Sequence, residues 1–493
     1  MVSQTQKTQT FLAQAPIPFY SGGNWVNARD GSIMEVEDPA EKQLLATMAK
    51  ASREDAEQAI LSAASAAPAW AARPAAERAT LLRKLADLCE RDAEELSQLE
   101  ALDVGKPVEN ARGFDVPFGI ECIRYFADLC ESQAFEQQLN IDGMNARSVR
   151  VPHGVVGFIF PWNFPLTLCM WGIAPALAAG NTVVVKPSEV TPLSTLYLAK
   201  LMDEAGFPAG VASFLPGDGP EVGEFMTQHP KIKMMSFTGS SRVGRLIGQA
   251  CGAQLKPVKL ELGGKGAAVI CDDADLDATA AGLAGAITLN TGQVCCTATR
   301  WIVHESVADS FIEKVKAELK KVAIGAGMVE GNQMGPVVSQ RQLSTILDYI
   351  ARGQAEGAEL LVGGKAPDDA ALQNGYYIEP SLLKGAEDNI CFKEEIFGPV
   401  AYITTYSDDE DALRQVNSLD YGLANSVWTR DPARADRIAR LMVSGNSWIN
   451  AHNVFAYGLP YGACNASGHG GGVNSPETLL DYTRNLSIAE PLV

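Results

Sequence analysis

Between Gly154 and about Ser241, short runs of β-branched residues alternate with longer stretches patterned for helices, and that alternation leaves few folds open. Gly154–Phe160 is expected to be a strand, Leu166–Ala179 a helix, Thr182–Lys186 a strand and Pro192–Ala205 a helix. Ala212–Leu215 and Lys233–Phe237 read as strands, and a helix follows from about Ser241. Strand–helix–strand units of this kind close as a parallel sheet covered by helices, the usual frame of a dinucleotide site. A second such series runs from Gly266 to about 440, with Arg300–Val303, Ser306–Val322 and Val400–Tyr406 among its elements. Upstream, Ser52 to Ala67 reads as a helix with Ser52 and Asp55 in capping-box positions and Pro68 just beyond its end. Ala75 to Leu102 reads as one helix, its leucines at 81, 82, 85, 88, 96 and 99 forming an apolar face. The 131–150 region and the last eighteen residues fit neither series.

A chain of 493 residues exceeds a single hydrophobic core, so two or three domains are expected. A net charge of −19 repels nucleic-acid phosphates and argues against such a partner. The polar start, Met1 to Gln14, has no basic-then-apolar pattern of a secretory signal, and no apolar run is long enough to span a membrane. Ten cysteines without repeated short spacings suit a reducing cytoplasm rather than a disulfide framework. With no C-x-x-C, no H-E-x-x-H and five histidines, no metal site is expected.

Two strings carry chemistry: Glu261-Leu262-Gly263-Gly264-Lys265 and Thr291-Gly292-Gln293-Val294-Cys295. A thiol attacks a carbonyl only as the thiolate, so it needs a neighbour that lowers its pKa or takes its proton. A carboxylate can give that help and later activate water against a thioester. Gly292 permits a tight backbone approach, and backbone N–H groups around Cys295 can stabilise a thiolate and then an oxyanion. Cys296 adjoins Cys295, and residue logic alone does not choose between the two thiols. Lys186 ends a strand and Glu189 lies three residues on, so both can reach a ribose at the strand's carboxyl end. A carboxylate there accepts from ribose hydroxyls and repels a 2′-phosphate. Gly239-Ser240-Ser241-Arg242-Val243-Gly244 is a turn opening a helix, whose N–H groups suit a pyrophosphate.

Together with Phe160-Pro161-Trp162-Asn163-Phe164-Pro165, Lys186-Pro187-Ser188-Glu189 and Phe237-Thr238-Gly239-Ser240, these strings resemble the NAD(P)-dependent aldehyde dehydrogenase superfamily. The resemblance runs from about residue 20 to the end, with the strings in the family's order. It implies an α/β chain with a Rossmann-like NAD-binding domain (1–130 and 151–261) and an α/β catalytic domain (262–465). A small β bridging or oligomerisation arm (131–150 and 476–493) would pair with a neighbouring subunit in a homodimer or homotetramer. The family pattern Gly-Gln-x-Cys picks Cys295 as nucleophile, and Asn163 with the Cys295 N–H would hold the oxyanion. Glu261 is kept by relatives that hydrolyse the thioester and tends to be absent from those that release an acyl-CoA. Trp162, Lys186, Ser188, Glu189, Gly239, Ser240, Glu395 and Phe397 would bind the cofactor, with Glu189 favouring NAD over NADP.

By the same resemblance Phe164, Met170, Trp171 and the Asn453-Val454-Phe455 segment line the substrate tunnel, which suits an aliphatic or aromatic aldehyde. Trp171 also matches a position that boxes a cation in betaine- and aminoaldehyde-oxidising relatives, and Asp115 could add a negative charge at the mouth. A CoA-acylating enzyme and a non-catalytic family member are the alternatives. The chain departs from many hydrolytic relatives at Gly172, where they carry Lys, and at Gly472, where they carry Glu. That Lys–Glu pair is thought to relay the base's proton, so water or His469 would have to serve here.

Overall fold

The computed structural model describes residues 2–492. Three of the five residues of Thr182–Lys186 are valines, and all five are buried, as a strand covered on both faces requires. It lies in an eight-stranded sheet ordered Gly468–His469, Val258–Glu261, Ile232–Thr238, Val155–Ile159, Thr182–Lys186, Ala212–Phe214, Phe19–Ser21, Asn24–Val26. The five strands from Val258–Glu261 to Ala212–Phe214 are parallel. Chain order reverses between Val155–Ile159 and Ile232–Thr238, and a crevice for ligands opens at the carboxyl ends beside such a reversal.

A second, seven-stranded sheet is ordered Glu359–Val362, Ser381–Lys384, Val400–Tyr406, Ala298–His304, Gly266–Ile270, Ala424–Trp428, Asn446–Ile449. Leu262-Gly263-Gly264-Lys265 is the short crossing from the first sheet to the second. Its glycines are required by close approach. A Cβ on Gly263 would collide with the Glu395 carboxylate, and one on Gly264 would press on the Cys295 carbonyl. The mixed α/β architecture with a Rossmann-like parallel sheet is thus as the alternation predicted.

Three local readings differ. The first long helix runs Arg53–Ala72 with Pro68 inside it. Proline in a helix interior costs about 3 kcal/mol, but stopping at Ala67 would strip Trp70 from the core. The Trp70 indole is buried and donates to the Leu177 carbonyl at 3.2 Å. The expected Ala75–Leu102 helix is two, Ala75–Arg91 and Ala93–Val104. They divide at buried Asp92, whose carboxylate collects Lys7, Arg91 and the Tyr197 hydroxyl. Finally, the three-stranded sheet of Glu136–Ile141, Met144–Pro152 and Thr483–Pro491 takes less of the C-terminus than expected. Pro476–Asp481 is a helix opened by a Ser475 capping box, and Gly468–His469 returns to the edge of the first sheet.

Candidate active site

A cleft of about 450 Å³ opens where the two sheets meet. Trp162, Asn163, Glu189, Gly239, Ser240, Glu261, Cys295, Glu395 and Phe397 all line it. They arrive from loops at the carboxyl ends of the first sheet, from the glycine crossing and from the approach to Ala298–His304.

Cys295 is set by strained backbone. Asn290, Thr291 and Gly292 take φ of +46°, +56° and +68° in succession, a costly run for the first two. Side-chain bonds hold the run: the Asn290 amide donates to the Asn163 carbonyl at 2.8 Å and the Thr291 hydroxyl to the Gly335 carbonyl at 3.0 Å. Gln293 donates to the Asn290 carbonyl and accepts from the Val338 N–H. A side chain on Gly292 would strike the Gly398 backbone.

The two adjacent thiols have different surroundings. Cys295 lines the cleft, with the Tyr461 hydroxyl 3.9 Å from its sulfur. Cys296 is 1% exposed and its sulfur lies 3.4 Å from Asn453 Oδ1. The Cys296 sulfur and burial hold the Cys295 thiol well above the ordinary cysteine range. Asn163 is buried and spends one amide hydrogen on the Gln293 carbonyl at 3.0 Å, leaving the other. Glu261 has a buried Oε1 without a hydrogen-bond partner. Burial pushes its carboxyl up to about 8, with the Lys259 charge drawing it down and Cys295 opposing.

Of the cofactor candidates, Glu189 is half exposed and held by Lys186 Nζ at 3.0 Å. Ser188 is turned inward, accepting from the Val190 N–H, and does not line the cleft. Ser240 caps the helix Ser241–Ala253, accepting from the Val243 N–H at 3.4 Å. Glu395 accepts from the Gly264 N–H at 3.0 Å, and burial raises its carboxyl to about 7. Phe397 sits at φ +59°, edge-on to Trp162 at 5.2 Å, while Gln342 donates to its carbonyl.

The substrate candidates divide. Trp171 and Phe455 join Tyr461 in one ring cluster, with centroids 5.4–6.0 Å apart, so the cluster ends at the Cys295 sulfur. Phe118 and Phe114 extend it, and Phe164 meets Phe114 edge-on at 6.4 Å. Met170 is fully buried instead, its sulfur filling the space that Gly119 of the neighbouring helix leaves. Asp115 is not at a mouth either: it is 1% exposed and paired with Lys106 at 2.5 Å. His469 is exposed and pairs in register with Leu260, which places it on the face opposite Glu261. Tyr461 and Lys259 were not singled out in the sequence: neither lies in a recognisable string, and only folding brings them to the site.

Two α/β sheets joined through a glycine crossing, with a thiol and a carboxylate facing one cleft, make up a thiol enzyme built on a dinucleotide-binding frame. The model of the aldehyde dehydrogenase family matches residues 25–488, and the chain belongs to that family. It is 38% identical over 459 residues to a phenylacetaldehyde dehydrogenase of Pseudomonas fluorescens, covering 91% of each chain. The NAD+ complex of a Bacillus cereus aldehyde dehydrogenase superposes with a TM-score of 0.97 at 37% identity, covering 100% of both chains. PnpE of Pseudomonas sp. WBC-3, solved with nicotinamide adenine dinucleotide, superposes with a TM-score of 0.94 at 40% identity, covering 96% of this chain and 97% of that one. Among the described residues no helix is long and apolar enough to cross a membrane.

Proposed function

We propose that this chain oxidises an apolar aldehyde, aryl or alkyl, to the carboxylic acid with NAD. The observation that carries the reading is Cys295 and Glu261 lining one cleft while a cluster of rings closes on the Cys295 sulfur through Tyr461. Glu261 takes the thiol proton, and the sulfur forms a bond to the aldehyde carbon. The free amide hydrogen of Asn163 and the Cys295 N–H donate to the oxygen that becomes negative. NAD held in the cleft would supply the hydride acceptor needed for the Cys295 adduct to become a thioester. Glu261 then gives the thiol proton up to solvent, takes another from water as the water adds to the thioester, and returns it to the sulfur as the sulfur–carbon bond breaks and the acid leaves. A buried carboxylate facing the nucleophile favours this hydrolysis over transfer to CoA.

The residues present fit NAD. Glu189 offers acceptor oxygens at the cleft, Gly239 and Ser240 bring a helix N-terminus to it, and Gly263 leaves room for the Glu395 carboxylate. Glu189 supports NAD over NADP, whose 2′-phosphate it would repel. The rings of Trp171, Phe455 and Tyr461 suit an apolar chain or ring. The Asp115–Lys106 pairing removes the carboxylate that would favour a trimethylammonium aldehyde. The phenylacetaldehyde-oxidising relative supports the same choice. Ten free cysteines fit a reducing, cytoplasmic setting, and the exposed Thr483–Pro491 strand supports pairing with a second copy.

NADH formation on a panel of phenylacetaldehyde, hexanal and betaine aldehyde tests the reading, with native chain and Cys295→Ala side by side. The expected result is turnover on the first two, lost in the variant. Preference for betaine aldehyde would overturn the substrate class. Turnover undiminished in Cys295→Ala would overturn the nucleophile.

A further inference from the structure

Glu261 ends the Val258–Glu261 strand with a buried oxygen that nothing in the fold hydrogen-bonds. An isolated carboxylate in such a place is expensive to ionise, yet the proposed base must be an anion for part of every cycle. The two glycines noted in the sequence offer no help. A side chain on Gly172 would meet the Phe160 and Phe158 rings at 2.7 and 2.9 Å, and one on Gly472 the Tyr461 carbonyl. His469 is exposed on the wrong face of the strand.

Lys259 lies two residues before Glu261 on the same strand, and side chains two apart share a face. Its side chain is 2% exposed, and its ammonium donates to the Gly472 carbonyl and lies 3.7 Å from Asp481 Oδ2 and 5.4 Å from the Tyr482 ring centroid. Gly471 has no side chain where the Asp481 carboxylate sits, so the glycine run that removes Glu from position 472 also makes room for this pair. Burying an ammonium costs several kcal/mol before its partners are counted. At 3.7 Å and partly exposed, Asp481 is an incomplete partner, which leaves Lys259 charge to act on Glu261.

We propose that Lys259, held by Asp481, is a positioning residue: it is the positive charge that draws Glu261 towards the anion it must become to work as the base. The inference rests on Glu261 being that base. The remaining ionisable groups around Glu261 are Cys295, Tyr461 and Tyr482; Asp481 in turn faces Glu477 and Arg150. Of these only Lys259 and Arg150 are cations, and Arg150 acts on Asp481. Lys259 is drawn below the ordinary lysine range by burial, with Asp481 and Glu261 both pulling it back towards the charged form.

The test is the pH profile of kcat in the full chain, measured as NADH formation, for native, Lys259→Met, Lys259→Gln, Lys259→Arg and Glu261→Gln. Losing one close charge moves a carboxyl by about one unit or more. Lys259→Met should therefore shift the acidic limb up by that amount, a loss of about tenfold at pH 7 that is recovered at high pH. KM for aldehyde and for NAD should hold. Lys259→Arg should restore the limb. Should Lys259→Met not fold, Lys259→Gln, whose amide can still donate to the Gly472 carbonyl, carries the same criterion. A native limb in a folded, uncharged variant overturns the inference. If Glu261→Gln itself keeps the native limb, Glu261 is not the base, and the underlying reading fails with it.

Discussion

Cys295 and Cys296 show how little adjacency in sequence means at the residue scale. One sulfur faces the cleft, and the other faces Asn453 from a buried position. Cys296→Ala is thus expected to keep turnover within about tenfold of native, the effect of losing a neighbouring sulfur rather than a nucleophile. NADH formation checks this. Glu189→Ser removes the charge proposed to oppose a 2′-phosphate, so kcat/KM with NADP should rise by about tenfold, ~1.4 kcal/mol, measured against NAD under the same conditions. Glu261 also links activity to stability. Its folded carboxyl holds a proton to about 8, whereas the ordinary value is 4.5. Its contribution to stability is full below 4.5 and lost as pH rises through about 8. In the proposed mechanism activity needs the anion, so it is expected to run the other way and climb through the same region. Glu261→Gln should then melt higher than native at pH 9 and close to native at pH 4.5, which differential scanning fluorimetry at the two pH values would read.

At the scale of elements, the parts legible in the sequence are those where local chemistry and burial agree. Thr182–Lys186 and Val400–Tyr406 were bounded correctly because β-branched runs meet turn signals at both ends. The Arg53–Ala72 helix passed through Pro68 because Trp70 docks 107 positions away on Leu177, which no local pattern carries. The same reason hid Met170. The family resemblance put it in the tunnel, but Gly119 on a neighbouring helix draws it into the helix interface. The strained Asn290–Gly292 stretch places Cys295, and its glycine is not replaceable. Gly292→Ala would set a methyl against the Gly398 backbone at φ +68°. Strain and overpacking of that kind cost about 1–3 kcal/mol each, so a lowered Tm and a turnover loss exceeding tenfold are expected together.

For the whole molecule, the two series of strands and helices gave two sheets, and the stretches that fit neither series gave the third. What the sequence left open was how distant segments converge. Tyr461 on the thiol and Asp481 on Lys259 are contacts between residues whose spacing repeats no motif. The Thr483–Pro491 strand leaves Leu486 and Ile488 exposed at 39% and 37%, which is the basis for expecting an assembly. Leu486→Asp with Ile488→Asp should reduce a dimer or tetramer to a smaller species in light scattering after gel filtration. A native chain that is already monomeric would refute that part.

The central claim is a covalent thioester on Cys295 cleared by Glu261. It is tested most directly by mixing Glu261→Gln with NAD and phenylacetaldehyde, following NADH in the first turnover and then weighing the protein. The account predicts at most one NADH per site, formed more slowly than in the native chain because the thiol has lost its base as well, then a stall, and a mass increase of one acyl group on the peptide bearing Cys295. Steady turnover at the native rate, or one NADH per site with no adduct on Cys295, would contradict it.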